Sequence, residues 1–132
     1  MTDSDDRLLV DLDADECYRL ATTQPVGRLA WVSADGPTVV PVNFRLTSEH
    51  VQIRTAAYSA MARECDDSLV AFEVDAYDAD SRTGWSVLMR GRATLGILRP
   101  GAPHTEAWPA GAKAAQLTVQ VEQVTGRRLR VR

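Results

Sequence analysis

Six short runs of alternating apolar and polar residues, each closed by a turn signal, constrain this chain more than any other feature: 26–33, 37–46, 51–55, 69–74, 85–95 and 117–124. A period of two places successive side chains on opposite faces of a strand. In the first run Val26, Arg28, Ala30 and Val32 point one way, and Gly27, Leu29, Trp31 and Ser33 the other. Ala34-Asp35-Gly36 then reads as a hairpin turn in which the glycine takes positive φ. Only two segments read as helix. One is 14–22, with Asp13 as N-cap and Glu16 as its capping-box partner. The other is 59–65, with Ser59 available as the cap. Short strands, tight turns and two brief helices predict a mainly β small barrel or sandwich.

With 132 residues, 45% of them hydrophobic, the chain fits one domain, 1–132, able to bury a core without staples. Residues 1–12 are acidic and expected to be mobile, apart from Leu8, Leu9 and Val10. Asp75 to Thr83 reads as a polar loop, and 100–111, rich in Pro, Gly and Ala, as irregular. Gly91 is expected to kink the fifth strand, and Thr125-Gly126 to break the sixth before Arg127 to Val131.

Fifteen basic against 18 acidic residues give a net charge of −3, which lacks the positive field that nucleic acid requires. The acidic start and the cluster Arg127, Arg128, Arg130, Arg132 read as solvated ends. Cys17 and Cys65 match no metal spacing and are expected as buried free thiols in a reducing cytoplasm. No secretory signal pattern opens the sequence, and no apolar run approaches the roughly 20 residues of a membrane span. A cytoplasmic protein is the expectation.

No Gly-x-Ser-x-Gly, phosphate-cradling loop or dinucleotide fingerprint is present. His50 and His104 stand alone in a turn and a loop, and read as solvated. Two local features point to a ligand. Pro41, in the middle of its run, cannot donate to a ladder, so the strand either bulges there, leaving backbone groups for a planar ligand, or is a plain edge strand. Arg54-Thr55 ends a strand four residues before Ser59, which gathers a guanidinium and two hydroxyls at a helix start. That grouping suits a phosphate, or is simply a capped helix with an outward arginine. Trp31 and Trp85 are either core or stacking platforms.

The runs GPTVVPVNFRL, VQIRTAAYSAMAREC, LVAFEV and GWSVLMRGRA, in that order and spacing, resemble the pyridoxamine-phosphate-oxidase-like, FMN-binding split-barrel superfamily, especially its short bacterial members. The resemblance covers about 14–96, and VTGRRLRV matches in style. It implies a six-stranded split β-barrel that works as a homodimer, with FMN at the dimer seam and a small-molecule substrate. Val40, Pro41, Val42 and Asn43 would lie along the flavin ring, and Arg54, Thr55 and Ser59 beside its phosphate. Ser86, next to Trp85, would sit near the flavin, often from the second subunit. Members that bind FMN tightly commonly carry Arg-Lys or a lysine after the serine, where this chain has Ala60 and Met61. Arg63, one helical turn on from Ser59, is placed to substitute.

The resemblance implies a flavin-dependent oxidoreductase in which the flavin carries the redox chemistry. One alternative is a deazaflavin (F420) protein, its longer tail served by Arg54, Arg63, Arg90 and Arg92. Another is a non-catalytic flavin- or haem-binding protein, or a cofactor-free dimer. The C-terminal substrate-binding Arg and His of the true pyridoxamine-phosphate oxidases have no clear match, so vitamin-B6 oxidation is not expected.

Overall fold

The computed structural model describes residues 7–98 and 115–132. In chain order these form β1 (Arg7–Leu12), α1 (Ala14–Ala21), β2 (Val26–Ser33), β3 (Gly36–Asn43), β4 (Arg45–Thr47), β5 (His50–Thr55), α2 (Ala60–Cys65), β6 (Ser68–Asp78), β7 (Thr83–Ile97) and β8 (Ala115–Val131). The strands make one eight-stranded antiparallel sheet in the order β3-β2-β6-β7-β8-β5-β4, with β1 also paired to β8. β3 also touches β5, so the sheet curls round into a split barrel.

The expected six strands are all present, with two additions. Residues 7–12, expected within a mobile segment, pair with β8 from Arg7↔Val131 to Leu12↔Gly126. Arg7 pins the start of this strand by donating to the carbonyls of Ser81 and Arg82, at 2.7 and 3.0 Å. The run 37–46 is cut at Phe44, where the chain leaves its pairing with β2 and joins β5 as β4. The Phe44 ring meets Phe72 edge-on, 4.9 Å between centroids, and anchors that crossing.

Alternation sorts the side chains as the sequence predicts. Leu29, Trp31, Ile53, Phe72, Val74, Val87, Met89, Leu117 and Val119 fill the barrel. Complete burial stabilises each such side chain by roughly 1.5–3 kcal/mol. Cys17 and Cys65 are free and buried in the same core, and burial pushes the Cys65 thiol up to about 11.

Asp13 caps α1 by accepting from the Glu16 N–H at 2.8 Å. The Glu16 carboxylate does not close the expected box; it turns outward to Arg19. In β8 the expected break at Thr125-Gly126 does not occur. A β carbon at Gly126 would lie 2.5 Å from the Cys17 sulfur, so this glycine serves the close approach of α1 to an unbroken strand. The polar loop is shorter than expected: β6 continues to Asp78, whose Oδ1 accepts from the N–H groups of Asp80 and Ser81. The expected irregular segment 100–111 and His104 lie outside the described residues.

The kink expected at Gly91 is a β-bulge between Arg90 and Gly91. A β carbon at Gly91 would fall 1.9 Å from the carbonyl oxygen of Gln120, which is backbone and cannot swing aside. Gly91→Ala is therefore expected to lower unfolding stability by about 2–3 kcal/mol, measured by denaturant titration.

Candidate functional site

The candidate residues fall into two groups. The first stands where β5 meets α2. Thr55 is the last residue of β5, points inward and is 5% exposed. Its hydroxyl shares a 2.8 Å hydrogen bond with that of Ser59, which also accepts from the Ala62 N–H at 3.0 Å as the cap of α2. The loop between them is closed by the Ser59 N–H donating to Ala56 O at 3.0 Å. Arg63 turns back along the helix and donates to the Tyr58 carbonyl, which brings its guanidinium to the helix start. Ala60 is exposed there, while Met61 packs against the core. Arg54 is half-buried on β5 opposite Gln116.

The second group lies on β2, β3 and β7 and is divided between the inner and outer faces of the sheet. On β3, Val40 and Val42 point inward and Pro41 outward. Pro41 stands opposite Arg28 with no shift in register, so β3 is the plain edge strand and not a bulged one. Asn43 ends β3; its Nδ2 donates to Pro25 O at 3.2 Å, and its buried Oδ1 has no hydrogen-bond partner. Trp85 packs against the core, and Trp31 is buried with its Nε1 donating to Glu64 at 3.0 Å. Neither ring is a free platform. Ser86 is half-buried on β7, beside Arg127 on β8 and Asp75 on β6.

Strand register sets this outer face out in rows. One runs Pro41–Arg28–Glu73–Leu88–Thr125, the next Val39–Ala30–Ala71–Arg90–Gln123. A third joins Asp75, Ser86, Arg127 and Asp11. Two open cavities follow. One of about 530 Å³ is mostly apolar, with Val32, Val39, Leu69 and Ala71 among its lining residues. The other, about 470 Å³, is lined by Glu73, Ser86, Arg127 and Asp11 with Leu88 and Val124. Both are of the size that holds a small organic ligand.

Sequence reasoning missed Arg28, Glu73 and Asp75, which lie between Pro41 and Ser86. Arg28 Nη1 reaches both carboxylates, at 3.0 and 3.3 Å. Partial burial, the hydrogen bond to Asp75 and the charge of Asp75 together raise Glu73 to about 7, against the opposing pull of Arg28. The clue in the sequence is parity, since these charges replace apolar residues at outward positions of two strands. It becomes legible only when the strand register is known.

A carboxyl raised from 4.5 to about 7 on folding holds a proton that the unfolded chain releases. Its contribution to stability is therefore lost as pH rises through that window. Glu73→Gln should gain stability relative to the native chain between pH 5 and 8, and carboxyl NMR should find the Glu73 midpoint near 7.

The chain matches the family described as pyridoxamine 5'-phosphate oxidase over residues 13–128. The solved structure of the FAD binding protein from Mycobacterium smegmatis is 29% identical, with 93% of this chain and 100% of that chain covered and a TM-score of 0.73. A FAD-binding protein from Mesorhizobium loti is 25% identical over 94% of this chain and 98% of that chain, with a TM-score of 0.70. The uncharacterized protein Rv0080 of Mycobacterium tuberculosis is 39% identical over 93 residues, which cover 67% of this chain and 61% of that protein. The match thus spans about three-fifths of that relative's length. No helix among the described residues is long and apolar enough to cross a membrane.

Proposed function

This chain belongs to the pyridoxamine 5'-phosphate oxidase family, and from that premise we propose that it binds a flavin at a seam between two identical subunits and acts as a flavin-dependent oxidoreductase. The observation that carries the reading is the outer face of the sheet. Val32, Val39 and Leu69 are 80, 62 and 65% exposed there. Together with Pro37 and Pro41 they form an apolar band beside an edge strand. Contiguous apolar surface of this kind marks an interaction site. A second copy covering the band would turn the open cavities into an enclosed cleft.

The residues present fit a flavin in most respects. The Thr55–Ser59 hydroxyl pair, with the guanidinium of Arg63 folded back to the same helix start, suits the 5'-phosphate that FMN and FAD share. Asn43 Oδ1, an acceptor already stripped of water, suits an N–H of a heterocycle. The resemblance names FMN, whereas the two solved neighbours are described as binding FAD. Ala60 and Met61 lack the positive charges that tight phosphate binding favours. A bound flavin supplies two-electron redox chemistry. The protein's own part is to grip the phosphate, exclude water with the apolar band, and set Ser86, Glu73 and Arg127 around the remaining space. The deazaflavin F420 reading would need Arg54, Arg63, Arg90 and Arg92 to act together, but Arg92 is engaged by Asp67 at 2.9 and 3.2 Å.

Fluorescence titration with FMN, FAD and F420 tests the reading. FMN or FAD is expected to be quenched on binding. Ala60→Lys, at an exposed position, should tighten binding by about tenfold or more, because a charge-assisted hydrogen bond contributes roughly 1.5–3 kcal/mol. Thr55→Val should weaken it by about tenfold. Quenching of F420 alone would favour the deazaflavin reading, and no quenching of any of the three would refute flavin binding.

A further inference from the structure

We propose that Arg28, Glu73 and Asp75 form a proton-operated element of the subunit seam, so that two copies of this chain associate more tightly once the paired carboxyls share a proton. The inference rests on the seam assigned under the proposed function, and adds to it a control that the fold builds in.

The geometry is that of one cation serving two anions. Glu73 and Asp75 are two residues apart on β6 and so emerge on the same face. A single nitrogen of Arg28, on the neighbouring strand, contacts both at 3.0 and 3.3 Å. With both carboxyls ionised the cluster carries one uncompensated negative charge. The surrounding positions cannot offset it at contact range. On β3 the adjacent residue is Pro41, and on β7 the facing residues are Leu88 and Ser86, all uncharged. The nearest other charged groups on this side are Arg127 of β8 and Asp11 of β1, which line the same cavity as Glu73, and Arg90 of β7 and Glu122 of β8, which line the apolar cavity one row on; each pair is opposed in sign.

The cluster directly adjoins the apolar band, because Arg28 is followed by Ala30 and Val32, and Glu73 is preceded by Ala71 and Leu69, on the same outward face. A partner that covers the band must also take the cluster out of water. Removing water from an uncompensated charge is costly, and one shared proton relieves that cost. In the lone subunit Glu73 already holds its proton up to about pH 7. Covering it raises that value further, so association takes up protons and strengthens as pH falls. With one such cluster in each subunit, a two-fold dimer brings two of them into the seam.

Analytical ultracentrifugation across a dilution series at pH 6, 7 and 8 tests the proposal. The dimer dissociation constant should be at least about tenfold lower at pH 6 than at pH 8. Glu73→Gln should abolish this dependence and give tight association at pH 8. Asp75→Asn, which removes the neighbouring negative charge, should move the dependence to lower pH. Asp80→Asn, in the exposed hairpin, should leave the native dependence in place. A dimer equally tight at all three pH values, or a dependence that persists in Glu73→Gln, would overturn the proposal while leaving the seam intact. A monomer at every pH and concentration would overturn the seam itself, and the proposal with it.

Discussion

The ladder between β7 and β8 is the constraint from which the rest of the molecule follows. It runs from Gly84↔Leu129 to Ile97↔Ala115 and is interrupted only at the bulge after Arg90. Strands this long curl strongly when they twist, and the bulge adds to the bend. The curl lets β6, β2 and β3 close from one side while β5 and β4 close from the other. Besides Gly84, which lies against the Ala76 carbonyl, Gly91 and Gly126 are the positions on this ladder where another part of the chain comes so close that a β carbon has no room. One sets the bulge against the Gln120 carbonyl, and the other admits α1 through Cys17.

The same strands present two unlike faces. Inward positions are apolar and fill the barrel. Outward positions divide into an apolar band near the β2–β3 hairpin and a charged region nearer β1 and β8. A lone subunit leaves that band in water, an arrangement at odds with an otherwise well-sorted sequence. In the proposed dimer a second copy laid over it would resolve the conflict and enclose the space offered to a flat heterocycle. The group proposed to hold the phosphate, at the start of α2, consists of hydroxyls that already satisfy each other and cap the helix, so its shape does not depend on a ligand.

Much of this was legible before the structure. The alternation of 26–33 and the Ala34-Asp35-Gly36 turn gave β2 and its hairpin with no error in the strand's bounds. Ser59 as the cap of α2 and Gly91 as a bend were also readable, because both depend on local chemistry. The failures were non-local. Residues 7–12 look like a solvated tail until β8 is known to lie alongside. Gly126 looks like a break until α1 is seen packed on it. Pro41 left two readings open, and only its place at the end of the sheet order chose the edge strand. The Arg28–Glu73–Asp75 cluster was invisible for the same reason, since its three members come together through pairing between β2 and β6.

In the proposed assembly, flavin and second subunit belong to one site. Native mass spectrometry of the freshly isolated protein addresses both at once. The expected result is a species of twice the 14.5 kDa chain mass carrying one flavin per subunit, with a flavin absorption band in the material released on denaturation. A colourless 14.5 kDa species that takes up neither FMN nor FAD when they are added would contradict it.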